Sequence, residues 1–208
     1  MNTGILITAR LKSERLPRKV LRPLLDRPLL GHLVDRLKLS QFGKTIAICT
    51  STVTQDDPLE EFAEAEGILC YRGHPDDVLE RNLSAARQFG YDLVLSCTAD
   101  NPFIDPVWLD KLAMAMIEGS YDFGTIVGLP FGCHSYSITS RAAEQACQIK
   151  DEVDTEVWGA YFTQTGLFDC LSLDVDDEAY VAPEFRLTVD ELADFELMRS
   201  ILSAFERQ

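Results

Sequence analysis

Five basic residues follow the first apolar run of the chain. They are Arg10, Lys12, Arg15, Arg18 and Lys19. The whole protein has a formal net charge of -15, so this loop is a positively charged segment in an otherwise acidic chain. Like charges on one short loop repel each other, and a bound anion relieves that repulsion. Because a chain this acidic does not attract polyanions in general, the loop indicates a small, highly charged ligand such as a nucleoside triphosphate. The alternative is a solvated loop that happens to be basic.

Two carboxylates stand where apolar runs end. Asp100 follows the run 93–97, and Asp190 follows a shorter run later in the chain. Mg²⁺ prefers oxygen ligands and is commonly held by one or two carboxylates, so the pair suits a metal site. The alternatives are structural: Asp100 would stabilise a turn, and Asp190 would be a helix N-cap. We expect Asp194 and Glu196 to be solvated carboxylates in the first turn of that helix.

Apolar runs alternate with amphipathic ones, a pattern typical of a parallel sheet with helical crossovers. The runs predict strands over residues 4–9, 45–50, 68–71, 93–97 and 186–189. The amphipathic stretches predict helices over 28–40, 58–66, 76–89, 106–119 and 191–205. Open α/β sheets bind ligands at the carboxyl ends of their strands. The basic loop and both carboxylates should therefore meet at one edge of the sheet.

The segment 121–180 is less regular. It offers strands near 122–127, 135–138 and 167–173 and helices near 140–149 and 153–163. A D-x-D pattern at Asp174 is interpreted as a solvated strand end. No repeat or linker divides the chain, so we expect residues 1–208 to form one domain.

The composition excludes several classes of protein. The excess of acidic residues argues against nucleic-acid binding, which needs a basic face, and against an anionic membrane surface. No apolar run approaches the roughly 20 residues that cross a bilayer, and the start of the chain has no signal-peptide pattern. The six cysteines form no C-x-x-C pair and are not spaced with the three histidines as zinc ligands. We expect a reducing cytoplasm without disulfides.

Several motifs occur together in a fixed order. They are Arg10-x-x-Ser13-x-Arg15-Leu16-Pro17-x-Lys19-Val20-Leu21, Tyr71-Arg72-Gly73, Thr98-Ala99-Asp100-x-Pro102-x-Ile104-Asp105-Pro106 and Arg186-Leu187-Thr188-Val189-Asp190-Glu191. In this order they resemble the CMP-sugar synthetase superfamily of cytidylyltransferases, and within it the SpsF-type branch of spore-coat polysaccharide biosynthesis. The resemblance covers nearly the whole chain.

The resemblance implies an α/β fold, a three-layer Rossmann-like nucleotidyltransferase similar to the glycosyltransferase-A fold, with a mainly parallel sheet. It implies CTP as donor, Mg²⁺ as cofactor and pyrophosphate as leaving group. It also implies a homodimer. We expect the less regular region at about 121–180 to be the acceptor and dimerisation region.

Carried over by position, the resemblance assigns roles to individual residues. Those expected on the nucleotide are Ala9, Arg10, Ser13, Arg15, Lys19, Arg72 and Thr98. Of these, Arg15 and Lys19 would contact phosphates, and Arg72 and Thr98 would lie near the base or ribose. The metal ligands would be Asp100 and Asp190, and catalysis would depend on Arg10, Lys19 and Asp100. A glutamine stands at the Thr98 position in sialic-acid and ketodeoxyoctonate relatives.

The acceptor side departs from the family pattern. A Pro-Arg-Gly-Leu-Asp-Val-Glu-like stretch is expected where this chain has a phenylalanine, a histidine and a tyrosine at the charged positions, namely Phe131, His134 and Tyr136. A Glu-His-Val stretch is expected where Glu156 now stands. The predicted acceptor contacts are Asn101, Phe131, His134 and Glu156. This points to an acceptor other than the usual sugar acid, such as a phosphorylated or phosphonate molecule; the alternatives are a variable loop and a structural His134.

The predicted reaction is transfer of CMP from CTP to a sugar acid or other small anionic acceptor. Two rival functions remain open. One is a glycosyltransferase on the same fold that uses a finished nucleotide-sugar. The other is a nucleotide-binding partner protein without catalytic activity.

Overall fold

The computed structural model describes residues 1–155 and 157–205. Seven strands form the main sheet: β1 (Thr3–Thr8), β4 (Ile46–Ser51), β5 (Leu69–Gly73), β6 (Leu93–Thr98), β7 (Phe123–Val127), β8 (Tyr136–Thr139) and β9 (Cys170–Asp174). Two short strands pair in a separate hairpin, β2 (Pro23–Leu24) and β3 (Arg27–Pro28). The helices are α1 (Leu29–Leu37), α2 (Asp57–Glu66), α3 (Val78–Phe89), α4 (Pro106–Gly119), α5 (Ser140–Ile149), α6 (Ala160–Thr163) and α7 (Leu192–Phe205).

The strand order of the main sheet is β5-β4-β1-β6-β8-β7-β9. The pairs β5–β4, β4–β1, β1–β6 and β7–β9 are parallel, whereas β8 runs antiparallel to both of its neighbours. The prediction of a mainly parallel α/β sheet is confirmed. β1 lies between β4 and β6, so the loop that follows it opens at the centre of the sheet edge.

Helices cover both faces of this sheet. Along β1, Ile5 and Ile7 face a core that contains the buried faces of α1, α2, α4 and α7, while Leu6 faces a second core formed with α3, α5 and α6. Both faces of the strand are buried, which is why its sequence is a continuous apolar run rather than an alternating one. The three-layer architecture is therefore confirmed.

Two predicted elements are wrong in extent. The helix predicted over 153–163 is reduced to α6, four residues long. The strand predicted over 186–189 is a single parallel bridge between Phe131 and Arg186. Within the two described ranges, no helix has both the length and the apolar character needed to cross a membrane.

Candidate active site

A cleft of about 840 Å³ opens at the carboxyl ends of β1 and β6. Thr8 and Thr98 are paired at these ends, so the loops that follow the two strands begin side by side. Eight of the predicted site residues line the cleft: Ala9, Arg10, Ser13, Arg15, Lys19, Thr98, Asp100 and Asp190. The sheet edge thus gathers side chains from three distant segments of the chain.

The ammonium group of Lys19 lies between the two predicted metal ligands. Its Nζ is 2.8 Å from Asp100 Oδ2 and 3.2 Å from Asp190 Oδ1, and it donates to the carbonyl oxygen of Val189 at 2.6 Å. A lysine has three N–H donors, so all three are used. The backbone N–H of Val189 in turn donates to the carbonyl oxygen of Asp100 at 2.9 Å, which joins the two carboxylate-bearing segments directly.

Asp190 lies among three cations. Arg15 Nη2 is 3.2 Å from Oδ1, the oxygen that also meets Lys19, and Arg186 contacts the other oxygen, Oδ2. Burial raises the pKa of Asp190, but the hydrogen bond from Lys19 and the charges of Lys19, Arg15 and Arg186 outweigh it and lower the pKa overall. The carboxylate is therefore ionised at neutral pH and is held from two sides.

Asp194 is not the solvated carboxylate that the sequence predicts. Its Oδ2 accepts from the backbone N–H groups of Asp190 and Glu191 at 2.8 and 3.0 Å. Its Oδ1 accepts from Arg186 Nη1 at 3.0 Å. Asp194 thus satisfies the free backbone donors before α7. Asp190 is left to bind side chains, and its alternative role as N-cap is not observed.

The pair of carboxylates fits a hard divalent cation. Oxygens of Asp100 and Asp190 converge on one positively charged point, which the Lys19 ammonium group holds. In the part of the chain that the structure describes, no group of three or more His, Cys, Asp or Glu side chains could hold a metal. Mg²⁺ is typically bound by one or two carboxylates together with substrate phosphates and water. Two converging carboxylates beside a cationic loop suit that mode of binding.

Two residues absent from the predicted site anchor the basic loop. Asp56 is buried; it accepts from the backbone N–H of Leu11 at 2.7 Å and from the hydroxyl of Ser51. Gln55 Nε2 donates to the carbonyl oxygen of Leu11 at 3.1 Å. Both backbone groups of Leu11, the residue after Arg10, are thus fixed from outside the loop. The sequence carries no signal for this contact, because it arises only when β4 lies beside β1.

Asp76 neutralises the outer part of the loop. Lys12 Nζ lies 3.1 Å from Asp76 Oδ1, and Arg10 Nη1 lies 3.3 Å from the same oxygen. Arg10 Nη1 also donates to the carbonyl oxygen of Pro75 at 2.5 Å. The hydrogen bond from Lys12 is the main cause of a lowered pKa for Asp76.

The opposite wall of the cleft is aromatic and rich in hydroxyl groups. Tyr136 pairs with Ser96 on one side and with Thr125 on the other, so the three side chains form a row across the sheet. The Tyr136 ring packs against Phe123 and Trp158, each at a centroid distance of 5.7 Å. Among the described residues that line this wall, none is charged.

Arg72 does not line the cleft. Its guanidinium binds two carboxylates of α2, with Nη2 2.6 Å from Asp57 and Nη1 2.9 Å from Glu60. Its Nε also donates to the carbonyl oxygen of Ser51 at 3.0 Å. The structure thus places Arg72 as a link between β5 and α2, away from the other residues predicted on the nucleotide.

Three of the predicted acceptor residues, Asn101, Phe131 and His134, are described by the structure and also lie outside the cleft lining. Asn101 donates from Nδ2 to the Thr98 hydroxyl at 2.7 Å. Phe131 is 53% exposed, and its ring meets that of His134 at 5.9 Å. The His134 ring in turn packs edge-on against Tyr136 at 5.6 Å, and burial lowers the pKa of His134. Phe131 and His134 are thus connected to the cleft by a chain of ring contacts that ends at Tyr136, a residue of the cleft lining. Glu156 lies outside the described residues.

Comparison with known proteins gives consistent results. A family model described as cytidylyltransferase matches residues 4–157. The chain is 30% identical over 203 residues to the spore coat polysaccharide biosynthesis protein SpsF of Bacillus subtilis, covering 94% of this chain and 84% of that protein.

Solved structures share the fold. A cytidylyltransferase from Leptospira borgpetersenii superposes with a TM-score of 0.90 at 29% identity, covering 99% of this chain and 88% of that one. A CMP:2-keto-3-deoxy-manno-octonic acid synthetase, solved in complex with CTP, superposes with a TM-score of 0.76 at 15% identity, covering 99% of this chain and all of that one. At that identity the second likeness concerns the fold alone.

Proposed function

Because the chain belongs to the cytidylyltransferase family, we propose that it transfers CMP from CTP to a small anionic acceptor and releases pyrophosphate. The observation that carries this proposal is the position of Lys19, which contacts Asp100 and Asp190 in the cleft that Arg10 and Arg15 also line. Cations for a triphosphate and carboxylates for a divalent metal thus share one site.

The nucleotide would occupy the cleft beside the basic loop. Arg15 and Lys19 would contact the phosphates, since arginine presents a donor fork and lysine a compact charge. Ala9, Ser13 and Thr98 line the same cleft and would contact the nucleoside or the adjoining phosphates. Because Arg72 is bound to α2, recognition of the base would depend on other groups along this wall.

Asp100 and Asp190 would hold Mg²⁺. The metal, when bound, would neutralise part of the charge that develops on the phosphate oxygens. The chain itself would supply position and fixed charge, which dominate catalysis of phosphoryl and nucleotidyl transfer. Arg10 and Arg15 would bind the triphosphate, and the anchored backbone of Leu11 would keep that part of the loop in place.

In this reaction the acceptor oxygen attacks the α-phosphorus in line, after its proton has passed to solvent. A bond from that oxygen to phosphorus forms, the bond from the α-phosphorus to the bridging oxygen breaks, and pyrophosphate leaves with the electron pair. Since the described residues of the aromatic wall carry no charge, the anionic group of the acceptor would face the cations of the loop. Its body would lie against Tyr136 and Trp158. A sugar acid, or a phosphorylated or phosphonate molecule, fits this orientation.

We also propose the wider setting. Residues 1–208 would act as one nucleotidyltransferase domain in a homodimer in the cytoplasm. The region 121–180 would supply the acceptor wall, because it contains Tyr136 and Trp158, which line the cleft. The same region would supply the dimer contact.

The test is pyrophosphate release from CTP and Mg²⁺ with a panel of sugar acids, phosphorylated molecules and phosphonates. We expect release with one class of acceptor, and a loss of about 10²- to 10³-fold in rate for Lys19→Ala and Asp100→Ala, the effect of removing one preorganised charged contact. Lys111→Ala is the matched control, since Lys111 pairs with Asp176 on the surface.

Three outcomes would contradict the proposal. Unchanged turnover in both Lys19→Ala and Asp100→Ala would show that this cleft is not the active site. Tight binding of a nucleotide-sugar without pyrophosphate release would favour a glycosyltransferase. Binding of CTP without turnover on any acceptor would favour a partner protein without catalytic activity.

A further inference from the structure

Arg186 connects two carboxylates behind the candidate metal site. Its Nη2 contacts Oδ2 of Asp190, and its Nη1 lies 3.0 Å from Asp194 Oδ1. Arg186 is not among the residues that line the cleft. It touches Asp190 on the oxygen that points away from Lys19.

The backbone on both sides of Arg186 is fixed. The N–H of Phe131 donates to the carbonyl oxygen of Phe185 at 2.9 Å, and the N–H of Leu187 donates to the carbonyl oxygen of Phe131 at 2.7 Å. Gly132 lies so close that a Cβ there would stand 2.7 Å from the Leu187 carbonyl group, and its φ of +96° is one that other residues rarely adopt. The backbone from which the Arg186 side chain extends is therefore held in place on both sides.

The guanidinium group of Arg186 is also restrained by its neighbours. Its guanidinium carbon lies 6.0 Å from the centroid of the Phe131 ring, within the range of a cation–π contact. Its far end meets Asp194, which two backbone N–H groups hold in place. A guanidinium held by the Phe131 ring and by Asp194 restrains the orientation of the Asp190 carboxylate that it binds.

We propose that Arg186 is a positioning residue for the metal site: it holds one oxygen of Asp190 so that the other faces Lys19 and the cleft. Hydrogen-bond partners behind a ligating carboxylate fix its orientation, and changing them typically costs about 10- to 100-fold in metal affinity. The inference depends on the proposed function, in that it takes Asp190 as a metal ligand. It extends that function to a residue that neither contacts the nucleotide nor lines the cleft.

The decisive variant is Arg186→Lys. It keeps the positive charge beside Asp190, so an altered metal affinity cannot come from a changed net charge. A lysine ammonium is a point charge and cannot replace the planar fork that spans Asp190 and Asp194. We expect Mn²⁺ affinity of the nucleotide-free protein, measured by electron paramagnetic resonance of free Mn²⁺, to fall about 10-fold, the lower end of that range.

Arg199→Lys is the matched control. Arg199 pairs with Glu196 on the surface of α7 and stacks on Phe195, so the same substitution there should leave Mn²⁺ binding unchanged. Asp194→Asn is a second variant, which removes the charged anchor of Arg186 while leaving Arg186 in place. The double variant Arg186→Lys, Asp194→Asn should be no weaker in Mn²⁺ binding than the worse single variant, because both changes break one unit.

The outcomes separate the two proposals. A wild-type protein that binds no Mn²⁺ would overturn the metal site and the role of Arg186 together. Binding by the wild type with equal affinity in Arg186→Lys would overturn the positioning role and leave the proposed function intact. A fully additive double variant would also contradict it. Circular dichroism melting of each variant shows whether the protein is folded, and a fall in affinity confined to Arg186 and Asp194 variants of unchanged melting temperature supports the inference.

Discussion

Replacing Lys19 with methionine should change metal binding and nucleotide binding in opposite directions. The Nζ of Lys19 lies between the two carboxylates, 2.8 Å from Asp100 Oδ2 and 3.2 Å from Asp190 Oδ1. A divalent cation that binds these oxygens must displace the ammonium group. The same ammonium group is proposed to contact the triphosphate. Methionine keeps most of the length of the side chain and removes the charge.

The size of the effect follows from the bonds that are exchanged. A hydrogen bond to a charged group contributes about 1.5–3 kcal/mol. The Lys19 side chain is 12% exposed and the two carboxylates are under one third exposed, so solvent screens these bonds only in part. Since the displaced ammonium group regains water, we take the lower end of this range, about 1.5 kcal/mol, which corresponds to roughly tenfold in affinity. Lys19→Met should bind Mn²⁺ about tenfold more tightly without nucleotide and should bind CTP at least about tenfold more weakly.

The assay compares two titrations on the same protein samples. Mn²⁺ binding is measured without nucleotide by electron paramagnetic resonance, and CTP binding is measured without divalent metal by calorimetry. Lys111→Met is the control, because Lys111 also pairs with an aspartate, at 3.5 Å, but stands outside the cleft. It should change neither affinity.

Two results would refute this reasoning. Unchanged Mn²⁺ affinity in Lys19→Met would mean that the ammonium group and the metal do not compete for one position. A loss of both affinities would mean that Lys19 organises the carboxylates rather than competing for them. Only the opposed changes support an exchange of cations at this site.

Two further predictions concern stability and the basic loop. Asp56→Ala should lower the free energy of unfolding by about 1–3 kcal/mol, because it leaves the buried N–H of Leu11 without its acceptor. It should also weaken CTP binding. Urea unfolding measures the first effect and calorimetry the second, and an unchanged CTP affinity would contradict the anchoring role. Burial lowers the pKa of His134, so the unfolded chain binds more protons than the folded one at pH values between this lowered pKa and the ordinary histidine pKa of about 6.5. Stability should therefore fall as the pH falls through about 6.5. His134→Phe should reduce the difference in unfolding free energy between pH 7.5 and pH 5.5, and an undiminished difference would show that other groups cause it.

The strands and helices around the site could be predicted because local signals mark them. Gly67 and Gly90 end α2 and α3 in the left-handed conformation, with φ of +66° and +70°, as their positions after amphipathic runs indicate. The segment before α6 could not be predicted in the same way. It is acidic, and the helix that its composition allows begins only at Ala160.

The convergence of the site was predictable, but the contacts that support it were not. Asp100 follows β6, whose carboxyl end lies beside that of β1 at the edge of the sheet. The run before Asp190 is not a strand of this sheet, and it joins the site through the hydrogen bond from the Val189 N–H to the Asp100 carbonyl oxygen. Asp56 and Arg186 act through contacts with Leu11 and Asp190 that depend on tertiary packing. A sequence shows their charges but not which partner each one meets. Arg72 illustrates the same limit, since its position in a family motif does not reveal that Asp57 and Glu60 bind it.

The basic loop of this acidic protein carries its own counter-ions. Lys12 is paired with Asp76, and Lys19 with Asp100 and Asp190, which explains how clustered cations persist without a ligand. A triphosphate that binds the loop replaces these carboxylates as the partners of its cations. Asp100 and Asp190 then lose their ion pairs with Lys19, and a divalent cation can neutralise them. Nucleotide and divalent metal should therefore bind more tightly together than either binds alone. An acidic protein repels an anionic substrate in general, but at this site the acidic side chains couple the substrate to its metal.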